Sequence, residues 1–423
     1  MPQQTGGPGP DLLIGGNDED GLYGLGGADV LDGGGGDDWL QGGEGADQII
    51  GGTGTLDYAA YKSSLEGVLV DLALPSLNAG VDAIGDSYSG IEGLIGSLFA
   101  DSLRGDSGDN YIFGLDGSDS LYGRDGVDSL VGGDGADYLH GGGGGDYLIG
   151  GDGFDQALYS YVTSGITVDL LHPSFNTGEA VGDHYSSIEG LAGSAFDDRL
   201  SGNFEDNYLW GGDGNDALFG RIGNDTLIGG AGNDTLTGGE GRDLLVGGDG
   251  VDTASYAAAT GAVRIFLSIQ QFGTGEAEGD SFFSIEGLEG SAFDDNLAGN
   301  GGDNILLGGA GNDALSGAGG ADLIAGGRGD DRLFGGDGRD TFVFGVGDGR
   351  DFIGDMSNEL GFGATPLDVI QLSTALGVSS FEDVMARAQQ VGNSTIITFD
   401  ANTTIELAGT PFLSLSSDNF VFV

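Results

Sequence analysis

Aspartate recurs every nine residues through most of this chain, and each one closes a glycine-rich run. Laid out in nines, residues 6–50 read GGPGPDLLI, GGNDEDGLY, GLGGADVLD, GGGGDDWLQ and GGEGADQII. The sixth position holds Asp11, Asp20, Asp29, Asp38 and Asp47, and the eighth holds Leu13, Leu22, Leu31, Leu40 and Ile49. The register slips at GGTGTLD (51–57), where Leu56 takes the acid position and Asp57 follows it. It resumes from Gly96 with Asp101, Asp119, Asp128, Asp137, Asp146 and Asp155. From Gly193 it gives Asp198, Asp216, Asp225, Asp234, Asp243 and Asp252, and from Gly290 Asp295, Asp313, Asp322, Asp331 and Asp340. Asn110, Asn207 and Asn304 fill three of the acid positions.

Carboxylates set among turns whose carbonyls can be aimed inward make a hard, all-oxygen donor set. Ca²⁺ takes about six to eight such ligands in flexible geometry, whereas Mg²⁺ demands a strict octahedron and keeps its waters. Zinc calls for histidine or cysteine, and the chain has three scattered histidines and no cysteine. Basic side chains cannot supply the counter-charge: 12 Lys and Arg face 68 Asp and Glu, for a net charge of −56. A field this negative repels phosphate, which excludes nucleic acid and anionic membranes as partners and favours cations.

The elements that must hold these aspartates follow from the two halves of the repeat. GGxGxD suits a tight turn, because glycine accepts positive φ. The last three residues, such as TLI or YLI, suit a short strand whose middle side chain points inward. Two turns and two strands make a coil of 18 residues, so each Asp stacks on the one 18 residues away at roughly 4.8 Å. Like charges about 5 Å apart repel by roughly 1 kcal/mol in water and several times that near a protein surface. A divalent cation between coils removes that conflict.

A longer repeat contains the nonamers. GSLFADSLRG (96–105), GSAFDDRLSG (193–202) and GSAFDDNLAG (290–299) are one segment three times, at intervals of 97. An insert precedes each, ending in GDSYSGIEGL, GDHYSSIEGL or GDSFFSIEGL. Self-similarity on this scale means a solenoid or array.

The motif GGxGxDxUx resembles that of the RTX, or haemolysin-type calcium-binding, repeat proteins, and the resemblance covers most of residues 6–343. It implies an all-β, right-handed parallel β-roll, with multiple Ca²⁺ ions between adjacent turns and the register aspartates named above as their ligands. The departures are Asn110, Asn207, Asn304, Leu56 and the single-glycine turn GNFEDN (202–207). The expected organisation is repeat block 1 at 6–57, an insert at 58–95, block 2 at 96–155, an insert at 156–192, block 3 at 193–252, an insert at 253–289, block 4 at 290–343, and a C-terminal cap with a secretion-signal region at 344–423. The inserts, with GVLVDL (67–72), GITVDL (165–170) and AVRIFL (262–267), read as wider coils continuing the roll. A second reading makes them glycan-binding bulges using Tyr61, Tyr159 and Tyr256.

In the cap, TFVF, GRDFI, LDVIQL (367–372), TIITF and TIEL read as strands, and SSFEDVMARAQQV reads as the one helix. Ser380 and Asp383 form its capping pair; Phe381, Val384, Met385, Ala388 and Val391 form its apolar face. The ending DNFVFV, acidic then apolar, resembles that of type I secretion substrates, and it also suits a final edge strand. The N-terminus lacks the basic and apolar stretches of a secretory leader, and no segment is apolar enough to span a membrane. GDSG (105–108) lies in a repeat turn without a histidine partner, and HExxH and GxSxG are absent. The expectation is a secreted calcium-binding protein that folds on meeting extracellular Ca²⁺ and acts as a non-catalytic binding, matrix or surface component. Its expected partners are calcium and the type I secretion machinery, with extracellular polysaccharide or self-association beyond them. The alternative is a carbohydrate-active, alginate-epimerase-like or glycan-binding module, or a surface-layer or adhesin protein.

Overall fold

The structure, a computed structural model, describes residues 2–269, 273–356 and 368–423. Strands of three to seven residues dominate, and among those described they pair in parallel except for an antiparallel meander of Ala388–Val391, Ser394–Thr398 and Thr403–Leu407. Two compact units divide the chain, Met1–Asn203 with Tyr208–Gly212, and Phe204–Asn207 with Asp213–Val423.

In the first unit successive strands alternate between two faces. One face runs Gln3–Thr5, Gly21–Gly27, Trp39–Gly45, Tyr58–Ala60, Gly93–Ile95, Tyr111–Asp116, Ser129–Gly135, Tyr147–Gly153 and His184–Ser186. The register is one coil of 18: Ser129 opposes Tyr147, Leu130 opposes Leu148 and Gly133 opposes Gly151. Strands are longer than the three residues the repeat suggests, because the first glycines of the next nonamer also pair. The position-eight side chains point between the faces, and Leu22, Leu40, Leu121, Leu130, Leu139 and Leu148 are all 0% exposed. A core one leucine deep per strand is all that each coil contributes.

The inserts continue the roll. In the first, Tyr58–Ala60 pairs with Gly93–Ile95, Leu69–Asp71 starts a new sheet on Ser102–Arg104, and Ser87–Ser89 ends the sheet containing Gln48–Thr53. The second repeats the pattern, with Gln156–Leu158 on Gly190–Ala192 and His184–Ser186 on Tyr147–Gly153. Each insert therefore carries one face through and terminates the other. Tyr61, Tyr159 and Tyr256 are 1–3% exposed. That removes them as a surface for glycan, because their rings fill the core of the coil they were expected to decorate.

In the second unit the same coils run from Ala217–Ile222 to the cap, with Thr253–Ser255 on Gly287–Glu289 and Ser281–Phe283 on Leu244–Asp249. Val369–Leu372 stacks on Thr341–Phe344, and Phe420–Phe422 stacks on Ile370–Leu372 as the closing strand. Leu367 lies outside the described residues. The expected helix over 379–391 is shorter than its pattern: α1 covers Phe381–Met385, and Ala388–Val391 is a strand antiparallel to Ser394–Thr398. The Ser380 cap is present, with the Asp383 N–H donating to Ser380 Oγ at 3.2 Å. Beyond one turn, pairing with a hairpin outcompetes an isolated helix that is marginal on its own. Among the described residues no helix is long and apolar enough to cross a membrane.

Candidate metal centres

The column of aspartates is built by hydrogen bonds from backbone to carboxylate. The N–H of Asp119 donates to Asp137 Oδ1 at 2.8 Å, and that of Asp137 donates to Asp155 Oδ1 at 2.8 Å. The same bond links Asp11 to Asp29, Asp20 to Asp38, Asp29 to Asp47, Asp101 to Asp119 and Asp128 to Asp146. In the second unit it links Asp216 to Asp234, Asp225 to Asp243, Asp234 to Asp252, Asp295 to Asp313, Asp313 to Asp331 and Asp322 to Asp340. One oxygen of each stacked carboxylate thus satisfies the coil before it, a charge-assisted bond.

The other oxygen is stranded. Oδ2 of Asp29, Asp38, Asp47, Asp119, Asp128, Asp137, Asp146 and Asp155 is buried without a hydrogen-bond partner. So is Oδ2 of Asp225, Asp234, Asp243, Asp252, Asp313, Asp322, Asp331 and Asp340. Native structures rarely leave a buried polar atom unpaired, and an anionic one is costlier still. The surroundings are more oxygen. A Cβ on Gly132 would overlap Asp137 Oδ2 and come within 2.6 Å of the Gly150 carbonyl oxygen, so both converge on the space that glycine leaves open. A Cβ on Gly133, at φ +120°, would overlap the Leu115 carbonyl oxygen of the preceding coil.

Among the described residues no three His, Cys, Asp or Glu side chains converge as a metal cluster. The candidate donors are the unpartnered Oδ2 atoms and the turn carbonyls beside them. That set fits Ca²⁺, a hard cation that accepts carbonyl oxygen and variable coordination.

Burial raises the carboxylate pKa values in the absence of a cation, with neighbouring carboxylates adding to it. Asp119, Asp128 and Asp313 are pushed up to about 7 and Asp243 to about 8. Asp47, Asp146, Asp155, Asp225, Asp252, Asp322 and Asp331 rise to about 6.

Five of the expected ligands sit differently. Oδ2 of Asp11, Asp20, Asp101, Asp198 and Asp295 accepts the backbone N–H of Gly7, Gly16, Ser97, Ser194 and Ser291 at 2.5–2.6 Å. In the last three a serine Oγ also donates to the carboxylate. Asp11, Asp101, Asp198 and Asp295 each open a block and Asp20 follows Asp11 in the first, and in all five the carboxylate shapes a turn. Asp216 is buried within its column.

Other residues join the columns unannounced by the period. The slipped Asp57 accepts the Asp38 N–H at 2.7 Å, and Asp351 accepts that of Asp331 at 3.1 Å. Asp86, Asp183 and Asp280, from the GD of the three insert endings, accept the N–H of Asp47, Asp146 and Asp243 at 2.8–3.0 Å. Glu92, Glu189 and Glu286, from IEGL, accept those of Asp57, Asp155 and Asp252 at 2.9–3.1 Å. The recurrence of GD and IEGL was the available signal.

Two histidines lie away from the columns, and the third, His184, follows the column-ending Asp183. His172 and His184 are exposed, and His140 lies between Tyr122 and Tyr161 with ring centroids at 5.0 and 5.2 Å. Burial lowers the His140 pKa to about 4.

A family model described as the RTX calcium-binding nonapeptide repeat (4 copies) matches residues 5–31, 23–55, 95–130, 122–157, 192–227, 219–254, 289–324 and 316–351, together more than half of the chain. No curated protein matches. Among solved structures the chain is similar to the extracellular lipase LipA from Serratia marcescens, at 18% identity and a TM-score of 0.13, over 77% of this chain and 40% of that one.

Proposed function

The chain belongs to the RTX calcium-binding nonapeptide-repeat family, and from that premise we propose that it is a secreted protein that folds on meeting extracellular calcium and then acts as a non-catalytic binding, matrix or surface component. Its repeats bind Ca²⁺ at multiple sites. The observation that carries the folding step is the set of buried Oδ2 atoms lacking partners in both units. The proposed ligands are the register aspartates whose Oδ2 stands in this state, with turn carbonyls completing each site. Without a cation, stacked carboxylates beside a core one leucine deep oppose folding; with one, the same column becomes cohesive. The segment boundaries given by the sequence are the working division into repeat blocks, inserts and cap.

Circular dichroism and small-angle scattering of the chain, chelated and then at roughly millimolar Ca²⁺, test this. β structure and compaction should appear only with calcium. A chelated sample as folded and as compact as the calcium form refutes it. For export, the chain should reach the culture supernatant only from a host carrying a type I exporter.

Glycan binding survives as a second reading on a different set of residues from the buried tyrosines. Tyr147 and His184 stack on the outer face with ring centroids at 4.9 Å, and both are exposed. Retention of the calcium form on a uronic-acid polymer column, lost in Tyr147→Ala, tests it.

A further inference from the structure

Each insert ends both aspartate columns, and the described residues at those ends are bonded differently from a register aspartate. In a register aspartate Oδ1 accepts a backbone N–H and Oδ2 faces the carbonyls. In Asp86, Oδ1 accepts the Asp47 N–H at 2.9 Å, but Oδ2 accepts the hydroxyl of Tyr61 at 2.8 Å. Asp183 and Tyr159 repeat the arrangement at 2.6 Å, and Asp280 and Tyr256 repeat it at 2.5 Å. The tyrosine hydroxyl is held from its other side: Tyr61 meets Tyr88 at 2.5 Å, and Asn78 Nδ2 donates to Tyr88 Oη at 2.8 Å.

The cradle is missing as well. Five residues before Asp86 stands Val81, where a register nonamer has its first glycine. Before Asp183 and Asp280 stand Gly178 and Gly275, but a Cβ there would meet Ile166, or Ala262 and Val263, and no carboxylate. The second column ends on Glu92, Glu189 or Glu286, each taking the last aspartate's N–H on Oε2. New columns start beyond, where the N–H groups of Val68, Ile166 and Val263 donate to Asp101, Asp198 and Asp295.

We propose that Tyr61, Tyr159 and Tyr256 are positioning residues that close one calcium column at each insert with a hydroxyl in place of a cation, so that these column ends load no calcium and divide the ions into separate arrays. This rests on the register aspartates being the calcium ligands. The bond from tyrosine hydroxyl to aspartate Oδ2 recurs in all three inserts, while a second tyrosine hydroxyl stands beside Tyr61 and Tyr159 and Phe282 takes that place beside Tyr256.

Calcium per chain, measured by elemental analysis of the full-length protein after dialysis at saturating Ca²⁺, tests it. Asp86→Asn should keep the parent calcium number, and Asp128→Asn should lower it. Loss of an ion from Asp86→Asn overturns the proposal. An unchanged number in Asp128→Asn strikes instead at the register ligands, so the two failures are distinguishable. Tyr61→Phe guards against a cap variant that does not fold, because it leaves every carboxylate in place. It should melt at a lower temperature with the calcium number unchanged. A parent melting temperature together with a parent calcium number in Tyr61→Phe also overturns the proposal, because the hydroxyl then closes nothing.

Discussion

A register aspartate serves the preceding coil with one oxygen; as a proposed ligand it offers the other to a cation, and protons would compete for that second oxygen. The folded-state pKa values of Asp119, Asp128, Asp313 and Asp243 lie above the ordinary 3.8, at about 7 to 8, chiefly because of burial. The calcium-free fold therefore binds more protons than the unfolded chain between about pH 4 and pH 8, and its stability falls as pH rises through that window. Acidifying a chelated sample from about pH 8 to about pH 5 should thus favour the roll. Calcium shows the opposite dependence, since protonated carboxylates must release protons to bind it, so the Ca²⁺ midpoint should rise as pH falls. Circular dichroism titrations at several pH values read both, and a midpoint that falls with acidification would sink the idea. The second turn position carries a separate strain. Ala318 is exposed and adopts φ +79° where most repeats have glycine. Left-handed backbone costs an L-residue roughly 1–2 kcal/mol, so Ala318→Gly should stabilise the calcium form by about 1 kcal/mol after glycine's extra unfolded-state entropy. Gly133→Ala, at φ +120° against the Leu115 carbonyl, should destabilise it by more than that. Thermal melts at fixed free calcium decide both.

The asparagines that break the period mark the coil just after an insert. Asn110 Nδ2 faces the Glu92 carbonyl oxygen at 3.4 Å, and Asn304 Nδ2 faces that of Glu286 at 3.2 Å. The N–H groups of Glu92 and Glu286 are already spent on Asp57 and Asp252. A carboxylate there would set oxygen against oxygen, which an amide avoids. Asn110→Asp should therefore destabilise the roll by roughly 1–3 kcal/mol, the cost of an unsatisfied buried polar contact. An unchanged melt at fixed calcium would show that a cation takes the new oxygen. The nonamer coils were legible because Asp at position six and Leu at position eight repeat in step with the 18-residue stacking. The column-ending residues were not, since Asp47 reaches Asp86 across 39 residues and Asp146 reaches Asp183 across 37, and no fixed period spans an insert. The overlong end of the expected helix has a different cause. Ala388 and Val391 fit a helical face, yet the Gly392–Asn393 pair between two β-forming runs is a hairpin signal, and Gly392 sits at φ +63°. A periodic pattern of three turns outweighed that dipeptide on paper, while pairing with Ser394–Thr398 decided it in the fold.

Stacked coils touch only their neighbours, so the roll should tolerate loss of a whole period better than loss of a fraction of one. Ala192 pairs with Trp210, and the Gly193 N–H donates to the Trp210 carbonyl at 2.8 Å. In the next copy the Gly290 N–H donates to the Leu307 carbonyl at 2.8 Å. Excising residues 193–289 joins Ala192 to Gly290, so Leu307 inherits the place of Trp210 and the 18-residue register runs on. The same excision removes the cap of Asp280 and Tyr256 together with the columns it closes, and leaves no orphaned half of that pair. Excising 193–284 instead places a second IEGL (285–288) one residue, Ala192, after the first (188–191), and the following turns meet their predecessors out of register. Both products should still bind calcium. The 97-residue deletion should melt in one calcium-dependent step near the parent and lose ions in proportion to its missing register aspartates. The 92-residue deletion should melt in two steps, the lower one well below the parent, because coupling across the junction is lost. Differential scanning calorimetry with elemental analysis of both variants separates these outcomes, and a single shared core would be revealed by equal collapse of the two.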